Sequence, residues 1–129
     1  MKVRQPQWVF RETVVALHER LLSEFGGEGG LRDPGLLDSA LMRPQQKYAY
    51  NKPDLFELGA AYAFGLVRNH PFIDGNKRIG FVTAVTFLEL NGCTFVASEA
   101  DAVIKTLALA AREMSEENYA EWLKANSKK

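Results

Sequence analysis

A histidine and an aspartate four residues apart carry the first chemical signal in this chain. His70 and Asp74 bracket His70-Pro71-Phe72-Ile73-Asp74, and Gly75-Asn76-Lys77-Arg78 follow at once. Imidazole titrates near neutral pH and can take a proton from a hydroxyl. A carboxylate can hold Mg²⁺, which commonly keeps one or two carboxylates beside phosphate oxygens. The residues after Asp74 open an apolar helix, where roughly four backbone N–H groups lack a partner and the helix dipole is positive. An anion is drawn to such a place. Gly75 keeps a side chain out of its way. Lys77 and Arg78 add two cations, and arginine can grip a phosphate through two parallel hydrogen bonds. The set reads as a phosphate site with a general base beside it. Asp74 is read as the helix N-cap or as a Mg²⁺ ligand, two roles that do not exclude each other. Asn76 either donates to a phosphate oxygen or caps the turn. Phe72 and Ile73 read as packing residues.

Two helices must position this loop. Asp54-Leu55-Phe56-Glu57 has the form of a capping box, and the helix that follows is apolar almost all round as far as Asn69. It should end at His70, because a residue before proline avoids the helical region. The second helix runs from Gly75 or Asn76 to Asn91, with Gly92 as its stop. Both are core helices, and Gly59 and Gly65 in the first would let a neighbour approach closely. Around them the periodicity predicts a helix from about Gln7 to Phe25, with Trp8, Val14, Leu21 and Phe25 on its apolar face. Gly26-Gly27-Glu28-Gly29-Gly30 then reads as a plain connection, since it lacks the Gly-Lys-Ser/Thr ending of a P-loop. Asp33-Pro34 starts a short helix to about Arg43, ended before Pro44, and residues 44–53 read as a loop or extended flap. Ser98 caps a fifth helix to about Arg112, and Ser115 a sixth to about Ala125. Thr94-Phe95-Val96 is at most briefly extended. The expectation is an all-α, compact single-domain bundle of about six helices spanning 1–129, with central helices 55–69 and 76–91 joined by the motif loop.

Bulk composition narrows the class. The 129 residues, 47% hydrophobic, suffice for one core and not two. Sixteen basic and sixteen acidic residues give no net charge, against the basic excess of a domain built to grip nucleic acid. Cys93 is alone, so no internal disulfide forms, and two distant histidines make a structural zinc site a poor expectation. Residues 1–6 carry no leader pattern, and the longest uncharged apolar run, Leu58 to Val67, is short of the ~18 residues that cross a bilayer. A soluble cytoplasmic protein without direct nucleic-acid or membrane contact is expected.

The motif itself is familiar. His70-Pro71-Phe72-Ile73-Asp74-Gly75-Asn76-Lys77-Arg78 resembles the signature of the Fic/Doc superfamily, and most of all its death-on-curing (Doc) toxin branch, His-x-Phe-x-Asp/Asn-Ala/Gly-Asn-Lys-Arg. The likeness extends through Ala16-Leu17-His18, Phe25-Gly26-Gly27, Asp33-Pro34-Gly35, Asp54-Leu55-Phe56-Glu57 and Asn91-Gly92, over about residues 14–112. Fic adenylyltransferases resemble His-Pro-Phe-x-Asp/Glu-Gly-Asn-Gly-Arg-x-x-Arg. This chain has Lys77 for their second glycine and Phe81 for their second arginine, which argues against AMP transfer.

The Doc resemblance implies a toxin of a toxin–antitoxin system. Such a protein kinase transfers the γ-phosphate of ATP to a threonine of elongation factor Tu and so arrests translation. It implies His70 as general base, Asp74 holding Mg²⁺, and Gly75, Asn76, Lys77 and Arg78 on the ATP phosphates. Arg68 would help with phosphate or target. For His18 a structural hydrogen bond is preferred to catalysis. Self-inhibiting Fic enzymes carry Ser/Thr-x-x-x-Glu, and no Ser or Thr here is followed four residues later by Glu. The resemblance therefore implies a separate Phd-type antitoxin whose disordered tail folds onto the toxin. The alternatives are a Fic-type adenylyltransferase and a non-catalytic partner-binding domain.

Overall fold

The computed structural model describes residues 5–129; the first four, read above for the absence of a leader pattern, lie outside it. Six helices are described: α1 (Arg11–Phe25), α2 (Pro34–Asn51), α3 (Leu55–Asn69), α4 (Asn76–Leu90), α5 (Glu99–Ala110) and α6 (Glu116–Ala125). Two-residue strands, β1 (Thr94–Phe95) and β2 (Ser127–Lys128), pair antiparallel and tie the C-terminus to the end of α4. The all-α expectation holds, with α3 and α4 at the centre.

The start of α3 is the predicted capping box. Asp54 accepts from the Glu57 N–H at 2.8 Å, and Glu57 accepts from the Asp54 N–H at 3.3 Å. Nine of the fifteen α3 residues are buried, so it meets neighbours on every side: α2, α4 and α6. Its glycines differ in purpose. A Cβ on Gly65 would lie 3.1 Å from the Ala40 carbonyl oxygen and 3.2 Å from the Ala40 Cα, so backbone meets backbone where α2 crosses α3. A Cβ on Gly59 would meet only Leu123 and Leu88 side chains at 3.5–3.6 Å, an ordinary contact.

Two expectations fail for physical reasons. The helix expected from Gln7 begins at Arg11, because the residues before it are held extended by partners elsewhere. Gln7 exchanges two hydrogen bonds with the Asn91 side chain, and the Val9 N–H donates to the Tyr62 hydroxyl at 3.0 Å. Trp8 stacks on Phe87, 5.9 Å between centroids, instead of riding on a helix. The loop expected over 44–53 is helical to Asn51, with Pro44 inside α2. An interior proline forfeits a hydrogen bond and typically costs ~3 kcal/mol. Here its ring is buried, and α2 is anchored on both sides of it: Arg43 and Lys47 both reach the buried Glu116 at the start of α6. The chain turns only at Lys52, in the left-handed region at φ 47.

Two predictions follow from packing and burial. Gly59→Ala should raise stability by up to ~1 kcal/mol through helix propensity, whereas Gly65→Val should lower it by ~1–3 kcal/mol through overpacking; urea unfolding of the two variants checks the contrast. Tyr62 and Tyr119 are fully buried, and burial pushes both phenols up to about 12, against weaker downward pulls from the Val9 N–H and the Thr106 hydroxyl. The unfolded chain ionises these phenols near pH ~10, so their stabilising effect is whole below that pH and is lost as pH rises towards 12. The urea midpoint should be level up to pH ~9.5 and then fall, with Tyr119→Phe removing part of the fall.

Candidate active site

The loop between α3 and α4 is closed by its own polar groups. Asn76, the first residue of α4, receives a hydrogen bond from the Phe72 N–H at 3.0 Å and donates one to the Phe72 carbonyl at 2.9 Å. It is 3% exposed. Of the two roles read for this side chain, the structure shows the one that closes the turn: both ends of the amide are bonded to the loop, and Asn76 acts as its lock. His18, also buried, donates from Nε2 to the Asp74 carbonyl at 2.7 Å and stacks on Phe72 with 3.7 Å between centroids. Its structural role is as expected.

The Gly26–Gly30 stretch is more than a connection. Gly30 accepts from the Ile73 N–H at 3.1 Å, Leu31 bridges Phe72, and the Pro71 carbonyl accepts from the Arg32 and Asp33 N–H groups. The Glu28 N–H donates to Asp74 Oδ2 at 3.3 Å. Gly27, at φ +123, allows this approach: a Cβ there would stand 2.9 Å from the same oxygen. Arg32 caps the end of α3, donating to the carbonyls of His70 (2.7 Å) and Asn69 (2.9 Å). The sequence reading missed Gly27, Glu28 and Arg32 because their partners lie some forty residues away; the Phe25-Gly26-Gly27 match was the only hint.

With these bonds made, what remains faces outward. His70 ends α3 in the left-handed region (φ 52, ψ 53), an uncommon conformation for a residue with a side chain and one often found at functional sites. Its ring is exposed and takes part in no hydrogen bond among the described residues. The Asp74 carboxylate is exposed as well. Its Oδ1 accepts from the Gly75 N–H at 2.8 Å, but the N-cap of α4 is Gly75 (φ 80), which offers no side-chain acceptor. The N-cap reading of Asp74 is therefore corrected. The consequence is an open helix end: the N–H groups of Asn76, Lys77 and Arg78 have no acceptor among the described residues.

That end borders a groove of about 430 Å³, within the range of small-molecule sites. Asp74, Gly75, Lys77 and Arg78 form one rim, and Leu21, Phe25, Phe81, Val103 and Leu107 are among its apolar walls. Neither Lys77 nor Arg78 has a carboxylate partner among the described residues. Arg78 instead lies over Phe25, 4.2 Å from guanidinium carbon to ring centroid. Phe25, read on the apolar face of the first helix, is 54% exposed and forms part of the groove wall. The residues fit a Mg²⁺–phosphate pair: one exposed carboxylate with its backbone fixed, beside an uncapped helix end and two cations. His70 does not line this groove; it stands at the opposite end of the motif loop. Arg68 is elsewhere again, in a smaller cleft between α2 and α3, and is not brought to Lys77 and Arg78. No helix among the described residues is long and apolar enough to cross a membrane.

Comparison with known proteins meets the same motif. A model of the Fic/DOC family matches residues 8–88, which includes α1 through most of α4. The protein named Protein kinase doc of Escherichia phage P1 is 40% identical over 82 residues, 63% of this chain and 65% of that protein. Toxin Doc of Mycolicibacterium smegmatis is 47% identical over 77 residues, 57% of this chain and 58% of its own. A Fido domain-containing protein of Dictyostelium discoideum is 32% identical over 95 residues, 68% of this chain and 66% of its own. The chain spans less than two thirds of the length of the first two relatives. With the motif loop, all of α3 and most of α4 inside the matched region, the chain belongs to the Fic/DOC family, with proteins named Doc among its relatives.

Proposed function

We propose that this protein is a Doc-type toxin, a kinase that transfers the γ-phosphate of ATP to a threonine hydroxyl of a translation factor, elongation factor Tu. The observation that carries the reading is the uncapped N-terminus of α4, with Lys77, Arg78 and the Asp74 carboxylate around it. Phosphoryl transfer asks for placement and charge neutralisation above all. The N–H groups of Asn76, Lys77 and Arg78 and the two cationic side chains hold the phosphate oxygens. Asp74 would hold Mg²⁺, which would supply further charge neutralisation at the phosphates. The His70 imidazole takes the proton of the threonine hydroxyl as its oxygen bonds to the γ-phosphorus. The bond from that phosphorus to the β-bridging oxygen breaks, and ADP departs with the electron pair. Phe81, standing where the AMP-transfer pattern has its second arginine, gives the groove an apolar wall and no charge. That supports γ-phosphate transfer over AMP transfer.

Regulation follows from the same reading. Val103 and Leu107 of α5 line the groove with the exposed Phe25, and Ile104, next to Val103 in the chain, is 61% exposed outside that lining. We assign this apolar strip to the tail of a Phd-type antitoxin, folding as it binds.

Two experiments decide these points. ATP labelled at the γ-phosphate should label elongation factor Tu and ATP labelled at the α-phosphate should not. His70→Ala should lower the rate by about 10²–10⁴, and Lys77→Ala by about 10²–10³. Label carried over from the α-position would overturn the kinase reading in favour of AMP transfer. Ile104→Asp, outside the groove lining, should keep label transfer while escaping inhibition by the antitoxin tail, measured with the purified peptide; undiminished inhibition removes the α5 assignment.

A further inference from the structure

A second, smaller cleft lies between α2 and α3, about 120 Å³ in volume. Its lining is polar: Ser39, Arg43 and Gln46 from α2, and Arg68 and Asn69 from α3, around the edge of Phe64. Two guanidinium groups lie on that one ring, Arg43 at 4.5 Å and Arg68 at 4.7 Å from the centroid. Arginine stacked on an aromatic face keeps the N–H groups, which lie in its own plane, free for an anion.

The charges here do not balance. Glu116 takes up Arg43 and Lys47, so three cations including Arg68 stand against one carboxylate. Arg68 makes no ion pair and no hydrogen bond among the described residues, and its Nε is wholly buried with no acceptor. A buried donor of a charged group without a partner is costly, on the order of 1–3 kcal/mol or more, and calls for an explanation. Nε itself is out of a ligand's reach, but the two Nη groups of the same guanidinium make no hydrogen bond and are not buried, so they are the donors open to an anion in the cleft. The volume is about four times the ~30 Å³ that one water occupies in the liquid, which suits one compact group and not a nucleotide.

We propose that this cleft is a binding subsite for one compact oxyanion, a carboxylate or a phosphate, gripped by Arg68 and Arg43 with Ser39, Gln46 and Asn69 as neutral neighbours. It is separate from the phosphate site at the mouth of α4. One of its lining residues, Asn69, directly precedes His70 in the chain. Resting on the function proposed above, its occupant in turnover is an acidic or phosphorylated side chain of the acceptor protein; the anion site itself stands without that reading.

The test uses the full chain with inorganic phosphate and, in a second arm, acetate, following the arginine Nε–H resonances by NMR. Phosphate should produce a saturable shift of the Arg68 Nε–H that is absent from Arg68→Gln and weakened about tenfold or more in Arg43→Gln, the loss expected for one charge-assisted hydrogen bond. The shift should persist in Lys77→Ala, which empties the other site. Arg68→Lys, with charge kept and the planar fork lost, should bind more weakly than the native chain while remaining folded. Competition by acetate would name a carboxylate as an acceptable occupant, and its absence would restrict the site to phosphate. An Arg68 resonance that does not move, or that moves only while Lys77 is present, overturns the proposal. Failure of label transfer to elongation factor Tu would leave this titration untouched, so the two ideas fail separately.

Discussion

The site depends on the pairing of the Asn76 amide with both backbone groups of Phe72. A buried loop must give each backbone N–H and C=O a partner. Between α3 and α4 the chain has only six residues, 70–75, to reverse direction, too few for regular structure. Asn76 satisfies the loop at its middle, His18 takes the Asp74 carbonyl, and Arg32 takes the His70 carbonyl. Once these demands are met from inside, the imidazole of His70, the carboxylate of Asp74 and the first N–H groups of α4 are the groups left over. The groups that the proposed function uses are those that the structural bonding does not consume.

This division also explains the electrostatics. The chain as a whole is neutral, with sixteen cations and sixteen anions. Its charge separation is local. Glu116 is buried against Arg43 and Lys47, while Lys77, Arg78 and Arg68 have no carboxylate within reach among the described residues. A surface arginine can swing to find a counter-ion. Arg78 is held over Phe25 and Arg68 over Phe64, so their positive charge stays where it is put. Cation–π contact holds a guanidinium in place without neutralising it. The fold thus keeps two positive sites open, of different size, on opposite sides of the His70–Asp74 loop in sequence.

How much of this was legible in the sequence depended on the range of the cause. Local signals worked: the Asp54–Glu57 box, the proline after His70 and Gly92 after α4 each placed a helix end within a residue or two. His70, Asp74, Lys77 and Arg78 could be singled out because the motif sits in one continuous stretch, and the structure leaves all four exposed. Pro44 misled because its local cost is outweighed by contacts to Glu116, more than seventy residues away. Gln7 to Val9 misled for the same reason, their helical period being overruled by Asn91 and Tyr62. Asn76 carried a polar side chain in a phosphate motif, and nothing in its neighbours said that it faces inward. Gly27 looked like any loop glycine until Asp74 was seen against it.

Placement then sets the limits on the chemistry. A misplacement of about 1 Å can cost a hundredfold in rate, so the proposed function requires its base and its phosphate site to be fixed relative to each other. They belong to different helices, His70 to the end of α3 and Lys77 to the start of α4, and two features hold those helices in register. One is the closed loop. The other is the close crossing at Gly80, where a Cβ would stand 3.0 Å from Val67 Cγ2 and 3.2 Å from the Ala63 carbonyl oxygen. Backbones in such contact leave little room to slide, since packed interiors resist even small changes in volume. On the proposed function the helix pair is therefore part of the catalytic geometry, and the left-handed turn at His70 is the conformation by which a short loop turns the imidazole outward while its carbonyl stays bound to Arg32.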